Sequence, residues 1–270
     1  MPRYAALSKG IHANCTWRAP TNYAFARTSA LVPLSVAELP QAVMAFPVGL
    51  FRGHDGVFPA AILSLENGSN LYVTPEGRWL ARYIPVELRM HPFRLLQNKQ
   101  DPGKYVLCID EDSGLIAQSG SGQDFFNPDG SLTDSMQQVL ERLSQHERDR
   151  EATNRACRLL EQQGLVVPWN ISIRTSKGDR HIESVCKIDE RSLNALSGRE
   201  FEALRDTGAL SLAYCQMISM QNLPVLGKLA EAHDRHARKT EQLLQATLLQ
   251  SEISTDAGID WDAFSSQNHS

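Results

Sequence analysis

The sequence has no apolar run long enough to cross a bilayer. A spanning helix needs roughly 18–20 such residues; the longest stretch here, Val57-Phe58-Pro59-Ala60-Ala61-Ile62-Leu63, is short and broken by proline. Placement as an integral membrane protein is therefore not expected. The segment from Met1 to Gly10 holds neither a long apolar core nor a small-residue cleavage site, so no secretory signal is expected. Cysteine is scarce and scattered, at Cys15, Cys108, Cys157, Cys186 and Cys215, with no CxxC pair. An odd, dispersed set fits reduced, unlinked thiols packed as small hydrophobes, and hence a cytoplasmic protein.

A basic excess is also missing. Lys and Arg number 27 against 31 Asp and Glu, a net charge of −4. That balance argues against broad nucleic-acid binding, which needs a basic face to displace counterions from phosphates. Catalytic signatures are absent as well: there is no GxSxG, HExxH, P-loop or GxGxxG after a strand, so no nucleophile or cofactor can be named from motifs. Ser119-Gly120-Ser121-Gly122 lacks the lysine and following helix that a phosphate loop requires.

What is present is an ordinary globular chain of 270 residues, 42% hydrophobic and 21% charged, enough to bury a sizeable core. Residues 1–20 are polar and aperiodic and read as an N-terminal arm. Residues 21–249 read as a single α+β domain, β-rich and antiparallel first, helix-rich later. Strands are expected at 47–51, 57–65, 70–73, 79–84, 93–96 and 105–109. Arg52-Gly53-His54-Asp55-Gly56 joins the first two as a hairpin loop longer than two residues. After the turn Asn127-Pro128-Asp129-Gly130, Ser131 or Thr133 can cap a helix whose stripe runs Met136, Val139, Leu140, Leu143.

A polar stretch, Gln145 to Glu151, then interrupts the stripe before Ala152, Ala156, Leu159 and Leu160 resume it, so either two helices or one bent helix fits. Val166–Ile173 and His181–Ile188 read as a second antiparallel pair, and helices follow at 192–196, 200–206, 210–220 and 223–249. Residues 250–270 are acidic, without Lys or Arg, and read as a disordered tail. Within it, Trp261 and Phe264 share a face at helical spacing, as a docking peptide would.

Several segments in order resemble the SapC family of bacterial proteins: Val32-Pro33-Leu34 with Glu38, Asn70-Leu71-Tyr72-Val73 with Gly77 and Trp79, and Tyr83-Ile84-Pro85 with His91-Pro92-Phe93. Cys108-Ile109-Asp110-Glu111, Leu165 with Pro168, Ile188-Asp189-Glu190 and Gly208-Ala209-Leu210 continue the pattern, over roughly 20–228. The family is named from a surface-layer locus, so the resemblance implies an accessory or interaction role in surface-layer or cell-envelope biogenesis, with a protein partner. It carries over no catalytic residue.

The densest cluster of aromatic, basic and proline residues runs from Trp79 to Phe93. Trp79, Tyr83, Arg89 and His91, with Asp110, are the candidate wall of a ligand pocket, which gives the alternative reading of an enzyme or small-molecule-binding protein. The same aromatics can instead pack on the sheet. Asp110-Glu111-Asp112 and Asp189-Glu190 can act as acid–base pairs or cation ligands, but capping of the segments that follow accounts for them better. His233 and His236 share a helix face, yet no third ligand accompanies them and Arg235, Arg238 and Lys239 surround them. Neither a metal site nor a cofactor is expected.

Overall fold

The computed structural model describes residues 3–256 apart from 55, 99, 100, 102, 119, 121, 176, 177 and 183. The chain opens with β1 (Tyr4–Ala6), α1 (Lys9–His12) and β2 (Thr16–Trp17), then β3 (Leu31–Pro33), α2 (Leu39–Ala42) and the hairpin β4 (Val48–Gly53) and β5 (Gly56–Ile62). Next come α3 (Val86–Arg89), β6 (Phe93–Gln97), β7 (Tyr105–Asp110), β8 (Ile116–Ala117) and β9 (Gln123–Asp124). The long helix α4 (Asp134–Gln162) leads to β10 (Val166–Pro168), β11 (Ile171–Thr175), β12 (Gly178–Ile182) and β13 (Val185–Ile188). Among the described residues four α-helices follow: α5 (Glu190–Asn194), α6 (Gly198–Asp206), α7 (Ala209–Ser219) and α8 (Leu223–Asp256). This is the α+β arrangement expected, with antiparallel sheets first and helices later.

Two sheets organise the fold. One has five strands in the order β10-β13-β4-β5-β3, the other three in the order β1-β7-β6. In β4 and β5 the apolar residues run on without alternating, and neighbours such as Leu50 and Phe51, or Ala60, Ala61 and Ile62, are all buried. Burial on both faces removes the reason for alternation. Gly49 marks how close the packing is: a methyl group there would collide with Val185 Cγ2.

Helix α4 is continuous. Thr133 caps it, its hydroxyl oxygen accepting from Met136 N at 3.4 Å, which satisfies one of the free donors at a helix start. Its first half buries Met136 and Leu143 in a cluster with Trp17, Phe93, Leu95, Ile109 and Phe125. Its last turns reach the five-stranded sheet, where Glu161 accepts from Arg52 Nη1 at 2.8 Å and from Val57 N at 3.3 Å. One helix thus serves both sheets.

Several sequence expectations change. Residues 3–20 do not hang as an arm: β1 pairs with β7 from Tyr4↔Asp110 to Ala6↔Cys108, and Trp17 is buried. The pairing of β4 and β5 extends to Gly53↔Gly56, which takes Arg52, Gly53 and Gly56 of the expected loop into the strands; Asp55 lies outside the described residues. Residues 70–84 form no strand beyond a single bridge, Val73↔Trp79. Their β-like composition reflects aromatic packing instead: Tyr72 lies between Phe46 (ring centroids 5.0 Å apart) and Trp79 (6.1 Å). Asn70 replaces the strand hydrogen bonds with its own amide, donating to Ala26 O at 3.0 Å and accepting from Tyr72 N at 2.9 Å.

The compact unit closes at Gly227 rather than near 249. Among the described residues Leu226 is the last buried apolar residue of α8, and Leu243 and Leu244 are each 60% exposed. The acidic tail expected over 250–270 lies, from 257 onward, outside the described residues. Among the described residues no helix is long and apolar enough to cross a membrane.

Candidate functional site

The polar stretch of α4 has a structural reason. Residues of its middle turns, Leu143, His146, Glu147 and Arg150, line a cleft of about 1280 Å³. Residues 93–97 and Asp110 of the three-stranded sheet also line it, as do residues 31–35, which include β3 of the five-stranded sheet. The helix needs no apolar stripe where it passes the cleft, because there its side chains are held by charged partners, Glu147 by Arg150 and His146 beside Glu87.

Charged groups in the cleft are mostly held in pairs. Arg94 bridges to Glu87, and its guanidinium also lies 5.1 Å from the centre of the Tyr4 ring, close enough for a cation–π contact. Glu147 pairs with Arg150 at 2.7 Å. His146 Nε2 sits 3.7 Å from Glu87 Oε2, while its Nδ1 is buried without a hydrogen-bond partner. An orphaned buried polar atom is uncommon in native structures and is costly unless a further group meets it.

Two of the five sequence-predicted site residues, His91 and Asp110, line this cleft. Asp110 is buried and ends β7 as a cap: its Oδ1 accepts from Arg3 N at 3.0 Å and from Asp112 N at 3.3 Å. Its backbone N donates to Pro92 O at 2.9 Å, which sets the His91–Pro92 segment beside it. The His91 ring stacks on Phe25, with centroids 3.9 Å apart and planes 13° from parallel. Burial lowers the His91 pKa below the ordinary histidine value, partly opposed by the charge of Asp110.

The folded protein therefore holds His91 neutral where the unfolded chain would already take up a proton. Its contribution to stability is complete above the ordinary histidine pKa of about 6.5 and is lost as pH falls through the lower folded value. Denaturation measured across that window should show stability declining towards acid. His91→Phe, which keeps the stack on Phe25, should flatten this decline; an unchanged profile would assign the acid sensitivity to other groups.

Trp79, Tyr83 and Arg89 do not line the cleft; they belong to a neighbouring cluster built on Glu38. This carboxylate is 5% exposed and accepts four hydrogen bonds. Oε1 takes Val86 N at 2.7 Å and the Tyr83 hydroxyl at 3.0 Å; Oε2 takes Ser35 N and Ser35 Oγ, both at 3.1 Å. Arg89 donates to the Tyr83 hydroxyl at 3.4 Å and lies over its ring. Trp79 Nε1 donates to Tyr83 O at 2.8 Å. Burial and the Glu38 charge raise the Tyr83 pKa, so the phenol stays a donor. The arrangement fixes the loop leading into α3, and through it the position of His91.

The two acidic clusters do not converge. Asp110 ends a strand of the three-stranded sheet, whereas Asp189 follows β13 of the five-stranded sheet and caps α5, accepting from Arg191 N at 3.2 Å and Ser192 Oγ at 2.7 Å. Among the described residues no group of three or more His, Cys, Asp or Glu is placed to hold a metal ion. The five cysteines are unlinked; Cys157 is fully buried, and burial pushes its thiol up to about 12.

Phe25, Glu87, Arg94, His146 and Arg150 were not legible as site residues. They come from a short 3-10 turn at Ala24–Ala26, α3, β6 and α4, and no local spacing links them. The one available signal was the polar break at Gln145–Glu151 in an otherwise apolar stripe.

The profile of one protein family, SapC, matches residues 7–226 of the chain. The match ends one residue before the compact unit closes, and leaves α8 beyond Leu226 outside it. No curated protein and no solved structure matches the chain significantly.

Proposed function

The chain belongs to the SapC family, and from that premise we propose that it is a cytoplasmic accessory protein that binds a partner segment or ligand in the cleft lined by His91 and Asp110. The family's naming from a surface-layer locus supports a role in surface-layer or cell-envelope biogenesis. The binding role rests on a single observation: a cleft of about 1280 Å³ between the two sheets, lined by polar groups that already pair with one another. Groups held in pairs are pre-organised for recognition.

A second reading, an enzyme using His91 with Asp110, draws on their juxtaposition and on the neutral state of the imidazole. Binding is favoured, because Asp110 Oδ1 is already taken up by two backbone N–H groups.

Photo-cross-linking in cells tests the binding role. A benzophenone side chain at Thr28, an exposed residue on the cleft, should capture a ligand or protein that the same group at exposed Arg199 on α6 does not. Equal capture at both positions, or capture at Arg199 alone, would overturn the reading.

A further inference from the structure

The two sheets present end strands to the same cleft. β3 and β6 are end strands of their sheets, and residues 31–35 and 93–97 both line it. Register shows which backbone groups face outward. Leu34 N donates to Pro59 O and Leu63 N to Ala30 O, so in β3 the even positions turn towards β5. Leu31 then points its N–H and C=O away from the sheet, and Pro33, which has no N–H to lose, occupies the next outward position. In β6, Asp110 N donates to Pro92 O and Asn98 N to Lys104 O, so the even positions face β7; of the outward positions Phe93 N is taken by Met90 O at 2.7 Å, while Leu95 turns its N–H and C=O outward. An end strand with unpaired donors and acceptors is a template for another strand.

We propose that the cleft takes an extended peptide segment of a partner protein, which adds as a β-strand to the edge of β3 or β6. Backbone hydrogen bonds would hold the segment, and its alternate side chains would meet the cleft walls. The volume suits such an occupant, since it exceeds the roughly 300–1,000 Å³ of ordinary small-molecule pockets. Charge narrows the partner further. The lining holds four carboxylates, Glu87, Asp110, Asp112 and Glu147, against two guanidiniums, Arg94 and Arg150; Arg3, 3.5 Å from Asp112, offsets one more and leaves a surplus of one negative charge. Burial keeps His91 from adding positive charge. The favoured segment is therefore extended and basic, a complement to the acidic surplus.

This inference rests on the cleft being a binding site and is tested separately from it. A phage-displayed library of random linear peptides, selected on the full chain, should enrich sequences carrying Lys or Arg. Synthetic versions should lose affinity when alternate backbone amides are N-methylated, by about tenfold for each well-made hydrogen bond removed. Leu31→Pro removes one outward N–H without touching the β3–β5 ladder and should weaken binding with little change in melting temperature. Asp112→Asn, at an exposed position, should weaken the basic peptides specifically.

Peptide binding indifferent to N-methylation and to Leu31→Pro would overturn strand addition, as would failure to enrich any peptide. Small-molecule adducts at Thr28 with no peptide binding would also refute strand addition, while leaving the cleft as a binding site.

Discussion

Glu38→Ala is expected to destabilise the protein by about 3–5 kcal/mol, because it strands several donors at once and a buried donor left without an acceptor costs about 1–3 kcal/mol. The four groups that lose their acceptor are Ser35 N, Ser35 Oγ, Val86 N and the Tyr83 hydroxyl. Two of them belong to Ser35, which is itself buried. Glu38→Gln keeps an acceptor oxygen but turns an NH2 group towards donors, so it should cost less than the alanine variant and more than a surface change. Urea denaturation checks the order: the midpoint should fall for both variants with the slope unchanged. A loss below about 1 kcal/mol for Glu38→Ala would mean that solvent reaches these donors easily. Because the carboxylate fixes the loop into α3, the variant should also loosen the His91–Phe25 stack, visible as a His91 pKa returning towards its ordinary value.

Gln216→Leu is expected to cost about 2–4 kcal/mol, for a different reason. β13 pairs with β4 at Val185↔Phe51 and Cys186↔Leu50, a register that would set Ile188 opposite Val48. The strands have parted there, and the Gln216 side chain from α7 fills the gap. Its Oε1 accepts from Ile188 N at 3.0 Å and its Nε2 donates to Val48 O at 3.2 Å. A side-chain amide thus stands in for the missing rung of the ladder, in a site with 0% exposure.

Leucine matches the volume but offers neither group, leaving a buried N–H unpaired. The neighbouring Ser219 hydroxyl donates to Gln216 O at 2.6 Å and still accepts from Val48 N at 2.9 Å, so Val48 N stays paired and the damage should centre on the Ile188 amide. Hydrogen exchange at the Ile188 amide should accelerate well beyond that at Val48. Equal protection in the variant and the wild type would refute the bridging role.

The elements that could be read in advance are those whose cause is local. α4 carries its cap at Thr133 and its apolar spacing in its own residues, and α6 carries a capping box between Ser197 and Glu200. β6 and β7 are adjacent in the chain and pair from Phe93↔Ile109 to Gln97↔Tyr105. The region 70–84 misled because aromatic and β-branched residues favour strands only as surfaces to be packed. Here Tyr72 and Trp79 are packed by other aromatics, and Asn70 supplies the hydrogen bonds.

By itself, then, the sequence determined the α+β class, the family, the absence of a membrane-length apolar run and most helices, since periodicity and capping act over a few residues. It determined neither the closure of the N-terminal segment, where Arg3 N meets an Asp110 oxygen 107 positions away, nor the cleft. Each wall of that cleft comes from a different part of the chain. His91, Arg94, Asp110 and Arg150 become neighbours of one space only because one helix packs against two sheets. No spacing rule reaches across such distances; the meeting of remote residues is settled by which apolar faces must be buried together.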